Sequence, residues 1–254
     1  MSFYKILFSP TGGTRRVVDR LMQTLGPETA EIDLTSRETD FSALLFSADD
    51  VCLVAVPSYG GRVPAVAAER LQRISGNGAR AVLVVVYGNR AIDDTLLELK
   101  EMLQKSGFRC VAAVAAVAEH SVMHQFGKGR PDAQDDRELA DFAEEIRRVL
   151  AENAGESSLA VPGSRPYREY KRNPMKLDVS SDCTCCGTCA RLCPVGAIPQ
   201  SDPTQTERTL CISCMRCVAV CPGGGRRPDE RELAAHIEKL RPACGGRKPN
   251  ILYL

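Results

Sequence analysis

The chain has 254 residues, 44% of them hydrophobic, and a formal net charge of +1. That is enough apolar material for one large packed domain or two smaller ones, and a charge so near zero excludes the bulk attraction on which nucleic-acid partners rely. No run approaches the length of a membrane span, and the opening residues turn polar too soon for a signal peptide, so a soluble, cytoplasmic protein is expected.

Short apolar runs at residues 3–8, 30–34, 51–56, 79–87 and 109–118 alternate with helical patterns at 14–25, 41–46, 64–74, 93–106 and 135–153. Such alternation predicts parallel strands joined by crossover helices. Three central runs lack polar alternation, as strands covered on both faces should. The expected fold class is therefore α/β: a doubly wound five-stranded parallel sheet in the order 2-1-3-4-5, over residues 1–153.

The pattern breaks at Ala154. Gly155, Ser157, Ser158, Pro162, Gly163, Ser164 and Pro166 mark a linker over residues 154–176. Its basic, aromatic stretch at 165–172 either packs along the first domain, meets an acidic partner or stays a solvated connector. A cysteine-rich domain follows over 177–225, then a short amphipathic helix at 229–240 within a tail over 226–254.

Eight of the twelve cysteines repeat one spacing. Cys183, Cys186, Cys189 and Cys193 precede Pro194; Cys211, Cys214, Cys217 and Cys221 precede Pro222. Each copy reads Cys-x2-Cys-x2-Cys-x3-Cys-Pro, the run that binds iron–sulfur clusters in bacterial ferredoxins. A disulfide framework would need an oxidising compartment, and zinc needs only four ligands, usually as two separated pairs. Neither explains the repeat. In two-cluster ferredoxins the fourth cysteine of each run ligates the other cluster. The resemblance thus implies two 4Fe–4S clusters, one on Cys183, Cys186, Cys189 and Cys221, the other on Cys211, Cys214, Cys217 and Cys193. Cys185 is out of register, Cys52 and Cys110 read as small core residues, and Cys244 has no reading. Exposed cubanes are oxygen-sensitive, so an anaerobic setting is expected.

The first strand runs into Ser9-Pro-Thr-Gly-Gly-Thr14, where a helix begins. Hydroxyls, glycines and backbone N–H groups at a helix N-terminus suit a phosphate. The segment resembles the flavodoxin run Ser-x-Thr-Gly-x-Thr: Ser9, Thr11, Gly12 and Thr14 match, and Gly13 stands where Asn is usual. The resemblance implies FMN. Two further edge loops support it: Pro57, Ser58, Tyr59 and Gly60 at the ring, with Tyr59 stacking, and Tyr87, Gly88 and Asn89 at the flavin's polar edge. Nearly the whole chain then looks like the flavodoxin–ferredoxin fusion family. The long loop after the fifth strand holds His120 and His124; His120 is the candidate proton donor, and the alternative is that both only hydrogen-bond the loop.

These cofactors imply an electron-transfer flavo-iron–sulfur protein that passes single electrons between an external donor, two clusters and FMN, with a redox partner protein. An FMN-dependent reductase of a small oxidised acceptor is the alternative, and a cluster-bearing scaffold or sensor without flavin the third reading. No Gly-x-Gly-x-x-Gly follows a strand, so no built-in nicotinamide dinucleotide site is expected.

Overall fold

The computed structural model describes residues 2–26, 28–152, 159–170 and 174–254. The predicted helix end at Asn153, the linker residues Ala154, Gly155, Ser157 and Ser158, and Lys171 and Arg172 of the basic stretch lie outside them.

The first domain is a parallel sheet of β1 (Phe3–Leu7), β2 (Glu28–Asp33), β3 (Val51–Pro57), β4 (Arg80–Tyr87) and β5 (Arg109–Val117). Their order is β2-β1-β3-β4-β5, the doubly wound, flavodoxin-like arrangement predicted from the alternation of runs. The valine-rich β3 and β4 and the small-residue β5 are buried along nearly all their length because helices cover both faces. On one face lie α1 (Gly13–Leu25) and α4 (Ala133–Ala151), which meet the sheet through Val17, Val18, Leu21, Leu139, Ala143 and Ile146. On the other lie α2 (Ala65–Leu71) and α3 (Thr95–Lys105), which contribute Val66, Leu71, Leu96, Leu99 and Leu103. Each fully buried Leu or Val stabilises the fold by about 1.5–3 kcal/mol before entropy is counted. The run at 41–46 forms only a single 3₁₀ turn, Phe41–Ala43, started by the Asp40 side chain, which accepts from Ser42 N at 3.1 Å.

The cysteine-rich region is small and irregular. A two-stranded antiparallel ladder of β6 (Leu177–Val179) and β7 (Arg226–Pro228) closes it, and α5 (Thr188–Arg191) and α6 (Arg216–Ala219) are single turns. The last helix, α7 (Glu230–Cys244), runs further than the predicted 229–240. Beyond it the chain returns to the first domain. β8 (Ile251–Tyr253) pairs antiparallel with β5 and becomes a sixth strand of the main sheet. The returning segment is locked by Asp135, whose fully buried carboxylate accepts from Arg130, Asn250 Nδ2 at 2.8 Å and Arg247 Nη2 at 2.9 Å. The cysteine-rich region is therefore tethered to the sheet on both its sides. Among the described residues no helix is long and apolar enough to cross a membrane.

Candidate functional site

The loop between β1 and α1 lies at the carboxyl edge of the sheet. Gly12 caps α1 with φ of +87°, a left-handed conformation that a side chain would strain, and a Cβ there would meet nothing within 4 Å. Gly12 has no side chain with which to cap the helix, and no acidic residue sits in its first turn. Ser9 Oγ accepts from Arg15 N at 3.0 Å and pins the loop to the helix. The result is a helix N-terminus facing a cleft, with no acidic side chain in its first turn to compete for an anion's place on the backbone N–H groups of Gly13 and Thr14.

That cleft, of about 210 Å³, is lined by Ser9, Pro10, Thr11, Gly13 and Thr14 from the first loop. Pro57, Ser58, Tyr59 and Gly60 line it after β3, and Tyr87 and Gly88 after β4. Thus the three predicted loops converge. Two predicted residues do not face it. Gly12 shapes the turn without lining the cleft. Asn89 is turned away: its Nδ2 donates to Cys244 O at 2.7 Å and Gly246 O at 2.8 Å, so its amide holds the tail instead of a ligand's polar edge. Tyr87 likewise donates its hydroxyl to Pro249 O at 2.8 Å while its residue lines the cleft wall. The Tyr59 ring meets Phe8 edge-on, with centroids 6.5 Å apart. Burial pushes its phenol well above the usual range, with Cys214 and Tyr170 adding to the shift.

His120 lines the cleft and lies so close to Gly88 that a Cβ there would fall 2.5 Å from its ring. Its Nδ1 accepts from Val122 N at 3.1 Å and Met123 N at 3.2 Å, which assigns the proton to Nε2. Burial, helped by His124, pulls its pKa down to about 4. The ring is accordingly neutral near pH 7: it offers one N–H and carries no spare proton to give as an imidazolium. His124 instead bonds Glu119 Oε1 at 2.8 Å on the exposed side of the loop. A stability prediction follows for His120. As pH falls from 6.5 to 4 the unfolded chain takes up a proton that the folded chain refuses, so stability is lost over that window, by about 3 kcal/mol. Urea unfolding at both ends should show a smaller loss for His120→Gln; an equal loss would refute the assignment.

The cysteines fall around two further cavities. The first is lined by Cys183, Cys186, Cys189 and Cys221, with Cys185 on its exposed rim. The second is lined by Cys193, Cys211, Cys214 and Cys217. Each cavity thus receives three thiols of one run and the last of the other. The cause is local. Left-handed Gly187 and Met215 start α5 and α6, and each single turn carries the chain onward before its final cysteine. Backbone N–H groups donate to sulfur: Ala197 to Cys193 at 3.3 Å, Ser213 to Cys211 at 3.4 Å and Gly225 to Cys221 at 3.2 Å. Burial pushes the Cys214 and Cys217 thiols up to about 12, and Arg226, itself buried, draws Cys217 back. Arg226 is held by Pro203 O, Gln205 O at 2.9 Å and Thr206 Oγ1 at 2.8 Å, which leaves a fixed positive charge beside both cavities. Among the described residues no three His, Cys, Asp or Glu side chains are close enough to hold a single metal ion; a cubane takes four thiolates around a larger body.

Sequence reasoning missed several cleft residues. Tyr170, from the linker, packs over Gly60, where a Cβ would fall 3.2 Å from its ring. Ile212 and Ser213 reach the cleft from the cysteine-rich region, and Ser213 Oγ accepts from Met175 N at 2.8 Å. The aromatic linker carried a signal for the first. Nothing about two residues between Cys211 and Cys214 signalled the second.

No family model matches the chain. Component A of hydrogenase-4 from Escherichia coli (strain K12) is 39% identical over 62 residues, which are 24% of this chain and 30% of that protein, so the chain spans less than a third of that relative's length. The flavodiiron core Flv1 from Synechocystis sp. PCC6803 covers 61% of this chain and 37% of its own, at 15% identity and a TM-score of 0.44. Flavodoxin 1 from Bacillus cereus covers 61% and 100%, at 14% identity and a TM-score of 0.42. The fold assignment rests on the strand order described above.

Proposed function

We propose that the chain is an electron-transfer flavo-iron–sulfur protein with FMN in the sheet-edge cleft and a 4Fe–4S cluster in each cysteine cavity. The observation that carries this reading is the contact between the sites: Ile212 and Ser213 line both the cleft and the cavity of Cys193, Cys211, Cys214 and Cys217. The donor sets fit. At least four thiols line each cavity, and the cleft pairs the N-terminus of α1 with aromatic and small residues suited to a phosphate and a flat ring.

When bound, FMN supplies two-electron or stepwise one-electron chemistry and each cluster supplies one-electron chemistry. The chain does the rest. Ser9, Thr11, Gly13 and Thr14 hold the phosphate end. Tyr59 and Tyr170 wall the ring site. His120 offers its Nε2–H while staying neutral. N–H donors to the cysteine sulfurs, together with Arg226, offset thiolate charge and tune the potentials. One chain replaces a bimolecular encounter with an internal transfer. An anaerobic reductive titration tests the reading: uptake of about four electrons, two by flavin and one by each cluster, is expected, and bleaching of a single chromophore would contradict it.

The loop of Glu119, His120, Ser121 and Val122 on the cleft favours one second reading, a flavin-dependent reductase of a small oxidised acceptor. Reduced protein mixed with quinones or nitro compounds, without a protein partner, should be reoxidised catalytically only under that reading.

A further inference from the structure

We propose that the two cysteine cavities stand in series, with the one formed by Cys193, Cys211, Cys214 and Cys217 next to the flavin cleft and the one formed by Cys183, Cys186, Cys189 and Cys221 at the solvent end. The inference rests on the cofactor reading above and adds an order to it.

Every described tie between the cysteine cavities and the sheet domain comes from the inner side. Ile212 and Ser213 are shared walls of the cleft and the inner cavity. Arg216, which starts α6 and lines the inner cavity, donates from Nη1 to Pro10 O of the phosphate loop at 3.3 Å. Pro194, which follows Cys193, accepts from Arg70 Nη2 of α2 at 2.7 Å. Gly196 lies against Arg37, whose guanidinium carbon would be 3.4 Å from a Cβ at that position. The outer cavity has no such neighbour: its walls come from residues 182–189, 203, 221–223 and 226, all within the cysteine-rich region, and Cys186 is exposed beside it.

Two independent features thus point the same way. All four cysteines of the inner cavity are buried, and the cavity shares a wall with the cleft. The outer one has Cys186 exposed and Cys183 and Cys221 half-buried, and borders no residue of the sheet domain. Electrons from a one-electron donor protein would enter at the outer cluster, oxidising the donor by one electron. They would pass to the inner cluster and then reduce the flavin by one electron at a time, with protons taken from solvent at the cleft mouth. Ile212 and Ser213, which line both the cleft and the inner cavity, border both sites of the last step.

The test is electron paramagnetic resonance on the full-length, cofactor-loaded protein. A nearby reduced cluster speeds the spin relaxation of one-electron-reduced flavin, and the effect falls steeply with distance. Cys221→Ser, which removes an outer ligand, should leave that fast relaxation in place, and Cys193→Ser should abolish it. The opposite pattern, or equal loss in both, would overturn the order. Where a serine variant fails to fold, aspartate at the same position keeps a ligand and shifts the signal of one cluster. The cluster whose shifted signal couples to flavin is then the inner one, and coupling to the Cys221→Asp cluster would overturn the proposal. Wild-type protein with both clusters but no flavin signal would overturn the cofactor reading itself, a distinguishable failure.

Discussion

Cys193→Ala should cost the chain the cluster of the other cysteine run. Cys193 follows Cys189 by one helical turn, yet it lines the cavity of Cys211, Cys214 and Cys217. Under the crossed arrangement its loss leaves that cavity with three thiols, while Cys183, Cys186, Cys189 and Cys221 keep their full set. The expected result is loss of about half of the bound iron, with the outer cluster's spectrum retained. Cys221→Ala should do the reverse. The size of the effect comes from metal linkage: a cluster bound in the native state and absent from the unfolded one contributes its binding free energy to folding. Loss confined to the Cys183 cluster in Cys193→Ala would sink the crossed assignment.

Asp135→Ala should lower the stability of the chain by about 3–5 kcal/mol, because it leaves a buried cation without its partner. Arg130 is 4% exposed and Asp135 0% exposed. The carboxylate accepts from Arg130 Nε at 3.0 Å, Asp132 N at 2.8 Å, Asn250 Nδ2 at 2.8 Å and Arg247 Nη2 at 2.9 Å. Burial alone would raise its pKa, but those donors win and hold it below the usual carboxylate value. Its contribution is therefore present above about pH 4, the unfolded value, and is lost as pH falls through the lower folded value. Two of the donors, Arg247 and Asn250, belong to the tail that carries β8. Hydrogen exchange at residues 251–253 should accelerate in the same variant. A loss of stability below about 1 kcal/mol with β8 still protected would contradict the clamp.

The main sheet was readable because each of its strands is covered on both faces, so Val51–Pro57 and Arg80–Tyr87 appear as unbroken apolar runs. The three edge loops were readable because glycines and hydroxyls directly after a strand have few other uses. The C-terminal return was not. Ile-Leu-Tyr is too short to announce a strand, and what fixes it there is a polar cluster spread between residues 130 and 250, which no local pattern reveals. Asn89 misled for the same reason. Its position after β4 suggested a ligand contact, yet the carbonyls of Cys244 and Gly246 claim its amide from 155 and 157 residues away. His120 was found by its loop, but its charge state depends on burial and on two backbone donors that only the folded chain supplies.

Tyr170 and Ile212 have the largest bearing on function among the residues that sequence reasoning passed over. They belong to the linker and to the cysteine-rich region, yet both wall the cleft of the sheet domain. The cleft is thus completed by three separate parts of the chain. Under the proposed function, removal of the cysteine-rich region should therefore weaken flavin binding and not merely uncouple it.

The proposed function requires one chain to hold both kinds of redox centre. Anaerobic purification with iron, sulfide and released flavin quantified per chain tests it most directly. About eight irons, about eight sulfides and about one FMN are predicted for two cubanes and one flavin. Full iron and sulfide with no flavin, or flavin with no iron, would contradict it.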